Sequence, residues 1–217
     1  SPAAVCAVLG DQRRRRLGGL VPALAATPGW VVEIEGERAG ERVTEALFTL
    51  GDGQFGTRGT LEEGGDRATP LVLASGVYTE HQRPELLHGP TWTGLDVDLE
   101  RLGTIRTHRR LLDLRTGVAW RELVADGGVL RTLRFVSLAR PVTMALRAEA
   151  TPGLIRPGPS LAAPVHETAT VGTVVASGER PGGREWLAVR VPAGGGIVAV
   201  ARTRTRTRPE DPPEDDP

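Results

Sequence analysis

The sequence predicts an all-β protein, a large and mostly antiparallel β-sandwich, and three observations carry that expectation. From Trp30 onward, short segments rich in Val, Leu, Thr and aromatics recur at intervals of about 10 to 14 residues, separated by Gly, Pro or Asp. Several alternate apolar and polar residues, the two-residue period of a half-buried strand: in "LRTLRFVSL", Leu133 and Phe135 can face a core while Arg134 points to water. Between residues 30 and 200, no apolar pattern holds helical spacing for the roughly three turns that would announce a helix.

In chain order the expected strands are "WVVEIE", "VTEALFTL", "TPLVLASGVYT", "TWTGLDVDL", "TIRTHRRLLDL", "GVAWRELVA", "GVLRTLRFVSL", "PVTMALRAEA", "TVGTVVAS", "REWLAVRV" and "GIVAVAR". A sandwich of about ten or more strands accounts for them. With 217 residues and 39% hydrophobic content, the chain suits one domain that buries roughly 70% of its unfolded surface. That domain is expected over residues 30–201. Residues 1–29, rich in Ala, Gly and Arg, form an N-terminal extension, a short helix or disorder. Residues 202–217, "RTRTRTRPEDPPEDDP", hold almost nothing apolar that could offset ordering entropy and are expected to be a disordered tail.

The 27 basic and 27 acidic residues cancel, so no whole-chain field draws the protein to nucleic acid or anionic lipid. The run Arg13–Arg16 lacks interleaved aromatics and reads as a solvated terminal segment. No apolar run approaches the ~20 residues that span a bilayer, and the apolar stretch after Arg16 is broken by glycines and Pro22, unlike a signal peptide. A soluble protein in a reducing cytoplasm fits the single cysteine, Cys6.

One stretch invites a chemical reading. "FTLGDGQFGTRG", Phe48 to Gly59, contains "GDGQFG", the G-x-G-x-x-G spacing of a dinucleotide-binding turn. That motif needs a helix opening at its last glycine, but the next residues are "TRGTLEEGGDRATP", where a helix would cost about 1 kcal/mol per glycine and more at proline. The glycines read instead as a sharp, positive-φ connection between strands, with Asp52, Arg58 and Glu63 as the special residues around it. The histidines His81, His88, His108 and His166 are isolated, with no zinc spacing, and no G-x-S-x-G elbow is present, so neither metal nor other cofactor is expected. Glu62, Glu63, Asp96 and Asp98 are acids in loops or on one strand face whose spacing says nothing about a sugar-cleaving pair. The tryptophans Trp30, Trp92, Trp120 and Trp186 serve either a sandwich core or sugar stacking.

Four segments in order, "EALFTLGDGQFGTRGTLEEG", "LASGVYTE", "LLDLRTGVAWRE" and "LRFVSLARPVTMALRAEATP", resemble the N-terminal domain of glycoside hydrolase family 65. The resemblance covers about Trp30 to Pro152 and is strongest between Glu45 and Arg140. Asp52 stands where the family usually has Asn in G-N-G, a change that keeps size and positive-φ tolerance and adds a negative charge. The resemblance implies a supersandwich similar to galactose mutarotase. It also implies a neighbour: family members join this sandwich, through a helical linker, to an (α/α)6 barrel that carries the catalytic acid and cleaves α-glucosides such as trehalose, maltose or kojibiose with inversion.

No catalytic residue transfers onto these positions, and the expected role is a non-catalytic sandwich separated from its barrel. The loop residues Gly51, Asp52, Gly53, Gly56, Arg58, Gly59 and Glu63 are expected at a sugar-proximal interdomain contact. The expected partners are a barrel on a separate chain, an α-linked disaccharide with phosphate, and, through strand edges left open, further copies of the chain. A stand-alone sugar-binding module using Trp92 or Trp120, or an inactive remnant, are the alternatives.

Overall fold

The computed structural model describes residues 29–36, 41–64, 70–78, 86–156, 173–181, 184–190 and 197–203. Residues 1–28 and 204–217, most of the expected extension and tail, lie outside them, as do His81 and His166.

All sheets are antiparallel. A five-stranded sheet has the order β1 (Val31–Glu35), β6 (Ile105–Asp113), β7 (Val118–Ala125), β8 (Gly128–Val136), β9 (Met144–Ala150). A four-stranded sheet runs β2 (Leu50–Gly51), β3 (Phe55–Thr57), β4 (Val72–Tyr78), β5 (Leu86–Gly89). A three-stranded sheet holds β10 (Thr173–Arg180), β11 (Arg184–Arg190) and β12 (Ile197–Thr203), so Arg202 and Thr203 continue a strand where the tail was expected to begin.

Strands β6 to β9 match the expected segments closely, because each carries apolar residues that can pack on a sheet face and is set off from the next by a turn. The segment "VTEALFTL" does not. Glu41–Leu47 forms a helix, α1, and only Leu50–Gly51 pairs as strand. Two turns are too short to show a 3.6-residue period, and α1 is held by the chain just beyond its C-terminus: Phe48 and Leu50 are buried with Ile34, Leu112 and Ala119. The segment "TWTGLDVDL" is also not a strand; it runs irregularly to Asp98, whose carboxylate accepts from the Arg101 N–H and caps the short helix α2 (Leu99–Leu102).

The four-stranded sheet and α1 cover one face of the five-stranded sheet. Phe48 and Leu50 meet Leu112 and Ala119; Phe55, Val72 and Trp92 meet Met144 and Leu146; Val97, Leu102 and Leu154 meet Leu123, Ala125 and Leu130. On β7 this inner face is Ala119, Arg121, Leu123 and Ala125, and the outer face is Val118, Trp120, Glu122 and Val124.

The outer face divides into two halves. One is apolar and buried, with Leu111, Val118, Trp120 and Leu133 packed together. The other is a charge row crossing all five strands, in which Glu35, Arg109, Glu122, Arg131 and Glu149 stand directly opposite one another in turn. Arg131 Nε lies 2.5 Å from Glu122 Oε2, and Arg109 pairs with Glu33 and, at 3.6 Å, Glu35.

Candidate functional site

The loop that begins in the glycine stretch, Arg58 to Glu63, lies across the inner face, and its polar groups meet a row of buried cations. Arg110, Arg121 and Arg134 project from β6, β7 and β8 toward it, each 5% exposed or less. Arg134 therefore does not point to water. Its Nη1 donates to the Thr60 carbonyl at 2.8 Å and its Nε lies 3.2 Å from Glu62 Oε1, so both faces of β8 are buried. Alternation read from sequence cannot anticipate this, since a lone arginine between apolar residues looks like the wet face.

Glu62 is the centre of the cluster. Its side chain is fully buried; Oε2 accepts from Arg121 Nη1 at 2.9 Å and Oε1 from the Thr132 hydroxyl at 3.0 Å. Burial alone would raise this carboxyl, but Arg134 and Arg121 overcome that and hold it below the usual glutamate range. Arg121 also forks onto Glu63, with both contacts at 2.5 Å, and donates from Nε to His108 Nε2 at 2.9 Å. Burial first, then Arg121 and Arg110, push His108 down to about 4, so the imidazole is neutral and accepts at Nε2. Arg110 donates to the Gly59 carbonyl and stacks over the Phe48 ring at 4.8 Å.

The expected loop residues are all near this turn but take different partners. Asp52 closes the β2–β3 turn: Oδ1 accepts from the Gln54 and Phe55 N–H groups at 2.9 and 2.7 Å, and Oδ2 reaches the Val142 N–H at 2.9 Å. The Phe55 N–H is the main reason its carboxyl stays below the usual range. Positive φ falls on Gly53 (90°) rather than Asp52, so the turn needs acceptors at position 52, not left-handed backbone. Arg58 Nε sits 3.0 Å from Glu45 of α1, and its Nη2 donates to the Arg42 carbonyl at 2.8 Å. Gly59 is needed for space, because a Cβ there would lie 2.4 Å from the Phe48 Cβ. Gly56 and Gly51 face each other across β2 and β3.

Trp92 and Trp120 are 6% and 7% exposed, which removes both as sugar-stacking platforms; Trp30 is 54% exposed. Asp98 caps α2 and pairs with Arg156 at 3.2 Å. Among the described residues no group of three or more His, Cys, Asp or Glu could hold a metal, and no helix is long and apolar enough to cross a membrane.

The family model "Glycosyl hydrolase family 65, N-terminal domain" matches residues 31–208. The chain belongs to this family. A kojibiose phosphorylase from Caldanaerobacter subterraneus subsp. tengcongensis is 34% identical over 121 residues, which is 50% of this chain and 16% of that protein. A solved structure described as a putative kojibiose phosphorylase from human microbiome shares the fold with a TM-score of 0.58 at 14% identity, covering 76% of this chain and 26% of the other. The family 65 chain thus corresponds to a minor part of each of these proteins.

Proposed function

We propose that this chain is the N-terminal, non-catalytic sandwich of an inverting α-glucoside phosphorylase or hydrolase, working in cytoplasmic carbohydrate metabolism. It supports a catalytic (α/α)6 barrel supplied by polypeptide outside these 217 residues. Membership in the family carries the reading, and the kojibiose phosphorylase relative supports an α-linked disaccharide as the substrate of the assembled enzyme.

The site chemistry supports a supporting rather than a reacting role. Cleavage with inversion calls for an acid whose pKa is raised, facing an activated water or phosphate across the sugar. Glu62 and Asp98 are shifted the other way, and Glu63 is bound to a buried guanidinium. The glycine loop, with Gly51, Asp52, Gly53, Gly56, Arg58, Gly59 and Glu63, then contributes by holding backbone in place at the interdomain end.

The test is activity on kojibiose, maltose and trehalose with phosphate, read as glucose 1-phosphate or glucose. The chain alone is expected to release neither. The same chain co-expressed with a family 65 barrel polypeptide is expected to co-purify with it and release product. Turnover by the chain alone, or failure of any barrel to co-purify, would overturn the reading.

A further inference from the structure

Strand β9 ends the five-stranded sheet and pairs with β8 along one side. The bonds that flank this ladder fix which of its backbone groups are used: the Thr151 N–H donates to the Val129 carbonyl at 3.0 Å, and the Thr143 carbonyl accepts from the Ser137 N–H at 2.9 Å. Antiparallel residues turn their N–H and C=O groups to alternate sides, so Ala145, Arg147 and Glu149 also face β8. Met144, Leu146, Ala148 and Ala150 turn theirs away from the sheet, and among the described residues nothing meets them.

This edge lacks the usual protections against pairing. Met144–Ala150 contains no proline, and its register with β8 runs without a bulge from Val136 to Leu130. Met144 and Leu146 lie against the Val72 and Trp92 cluster but are only partly buried, so apolar surface remains at the rim of the core. On the outer face, Arg147 and Glu149 pair with each other two positions apart.

Those two charges select the occupant. Aligned antiparallel over its whole length, about Arg147, a second β9 would set the two arginines directly opposite, which repels. Slipped to centre on Ala148, it places each Arg147 opposite Glu149 of the second copy, in the pairs where side chains approach most closely. Leu146, Ala148 and Ala150 then meet Ala150, Ala148 and Leu146 of that copy, outward backbone against outward backbone, and the apolar inner faces stay on one side. Slipped the other way, about Leu146, Arg147 faces Ala145 and gains no charged partner. The opposite edge of the sheet behaves differently: a second copy aligned along β1 sets Glu33 against Glu33.

We propose that the chain pairs with a second copy of itself through β9, antiparallel and centred on Ala148, joining two five-stranded sheets into one. Sedimentation of the full chain over a micromolar concentration series is expected to show a monomer–dimer equilibrium. Ala148→Pro removes an outward N–H and leaves the bonds to β8 in place, so it is expected to be monomeric with a melting temperature close to wild type. Arg147→Glu and Glu149→Arg each set like charges opposite at both symmetric contacts and are expected to weaken self-association at least ~10-fold. Mixed in equal amounts, these two variants restore opposite charges at both contacts and are expected to form the mixed dimer; this arm decides the matter should Ala148→Pro melt early. A wild-type chain that stays monomeric, a dimer that a folded Ala148→Pro leaves intact, or charge variants that fail to associate on mixing would each overturn the proposal.

Discussion

Asp52 satisfies three backbone N–H groups with two oxygens, a task for which a carboxylate is better suited than an amide. Asn at this position keeps one acceptor for Gln54 and Phe55 but turns an NH2 toward the Val142 N–H. Asp52→Asn is therefore expected to preserve the turn, speed hydrogen exchange at the Val142 amide, and lower stability by less than ~1 kcal/mol for so exposed a group. His108 makes a larger contribution. Its folded pKa, about 4, lies below the ordinary 6.5, so the unfolded chain takes up the proton first as pH falls. Stability present above about 6.5 is lost progressively down to about 4, by up to roughly 3 kcal/mol. His108→Gln keeps an acceptor for Arg121 and is expected to flatten the change in urea midpoint between pH 7 and pH 5; an unchanged slope would discount the buried imidazole. The depressed carboxyls of Glu62 and Asp52 lose their contribution only in more acid solution, so pH 5 separates the two effects. The pairings of His108 and Arg134 were not legible in the residues alone, because their partners lie 13 and 74 positions away; the turn bonds of Asp52 are local, and only its reach to Val142, 90 positions on, was hidden.

At the scale of elements, the sequence was most readable where neighbours in sequence are neighbours in space. Strands β6 to β9 form a consecutive antiparallel meander, and their apolar segments and turn residues located all of them. Helix α1 escaped because its stability comes from docking beside Phe48 rather than from its own pattern. The glycines drew attention as a loop for the right reason in part: Gly53 supplies positive φ, yet Gly59 supplies room against α1. Substitution separates these roles. Gly59→Ala sets a methyl 2.4 Å from the Phe48 Cβ and 2.9 Å from the Glu45 carbonyl, so backbone must move. It is expected to cost about 2–3 kcal/mol, or several degrees of melting temperature. Gly56→Ala meets nothing nearer than 3.6 Å and is expected to melt within a degree or two of wild type.

For the whole molecule, the cluster around Glu62 is what ties the loop between the two layers to the five-stranded sheet. The loop's carboxylates and carbonyls face cations on three adjacent strands, so a single removal leaves buried charge uncompensated. Glu62→Gln is expected to destabilise by about 3 kcal/mol or more, and Glu63→Gln by less, because Glu63 is 11% exposed and Arg121 retains Glu62. Equal losses in thermal unfolding would show the fork to Glu63 carrying as much of the tie as Glu62. The family and its sandwich were legible from ordered motifs, whereas this cluster was not, since buried arginines and surface arginines are written with the same letter.

The charge row on the outer face carries a different kind of information. Its signs alternate from Glu35 through Arg109, Glu122 and Arg131 to Glu149. Exchanging β6 with β7 would set two glutamates side by side and then two arginines, and sliding β6, β7, β8 or β9 by two residues would break the alternation at that strand, whereas in β1 Glu33 would take the place of Glu35. The row thus encodes strand order as well as alignment, and it does so unevenly. Reversing the sign of Glu122 would offend two neighbours, reversing Glu35 or Glu149 only one, so the middle of the sheet is the part of this pattern least free to drift.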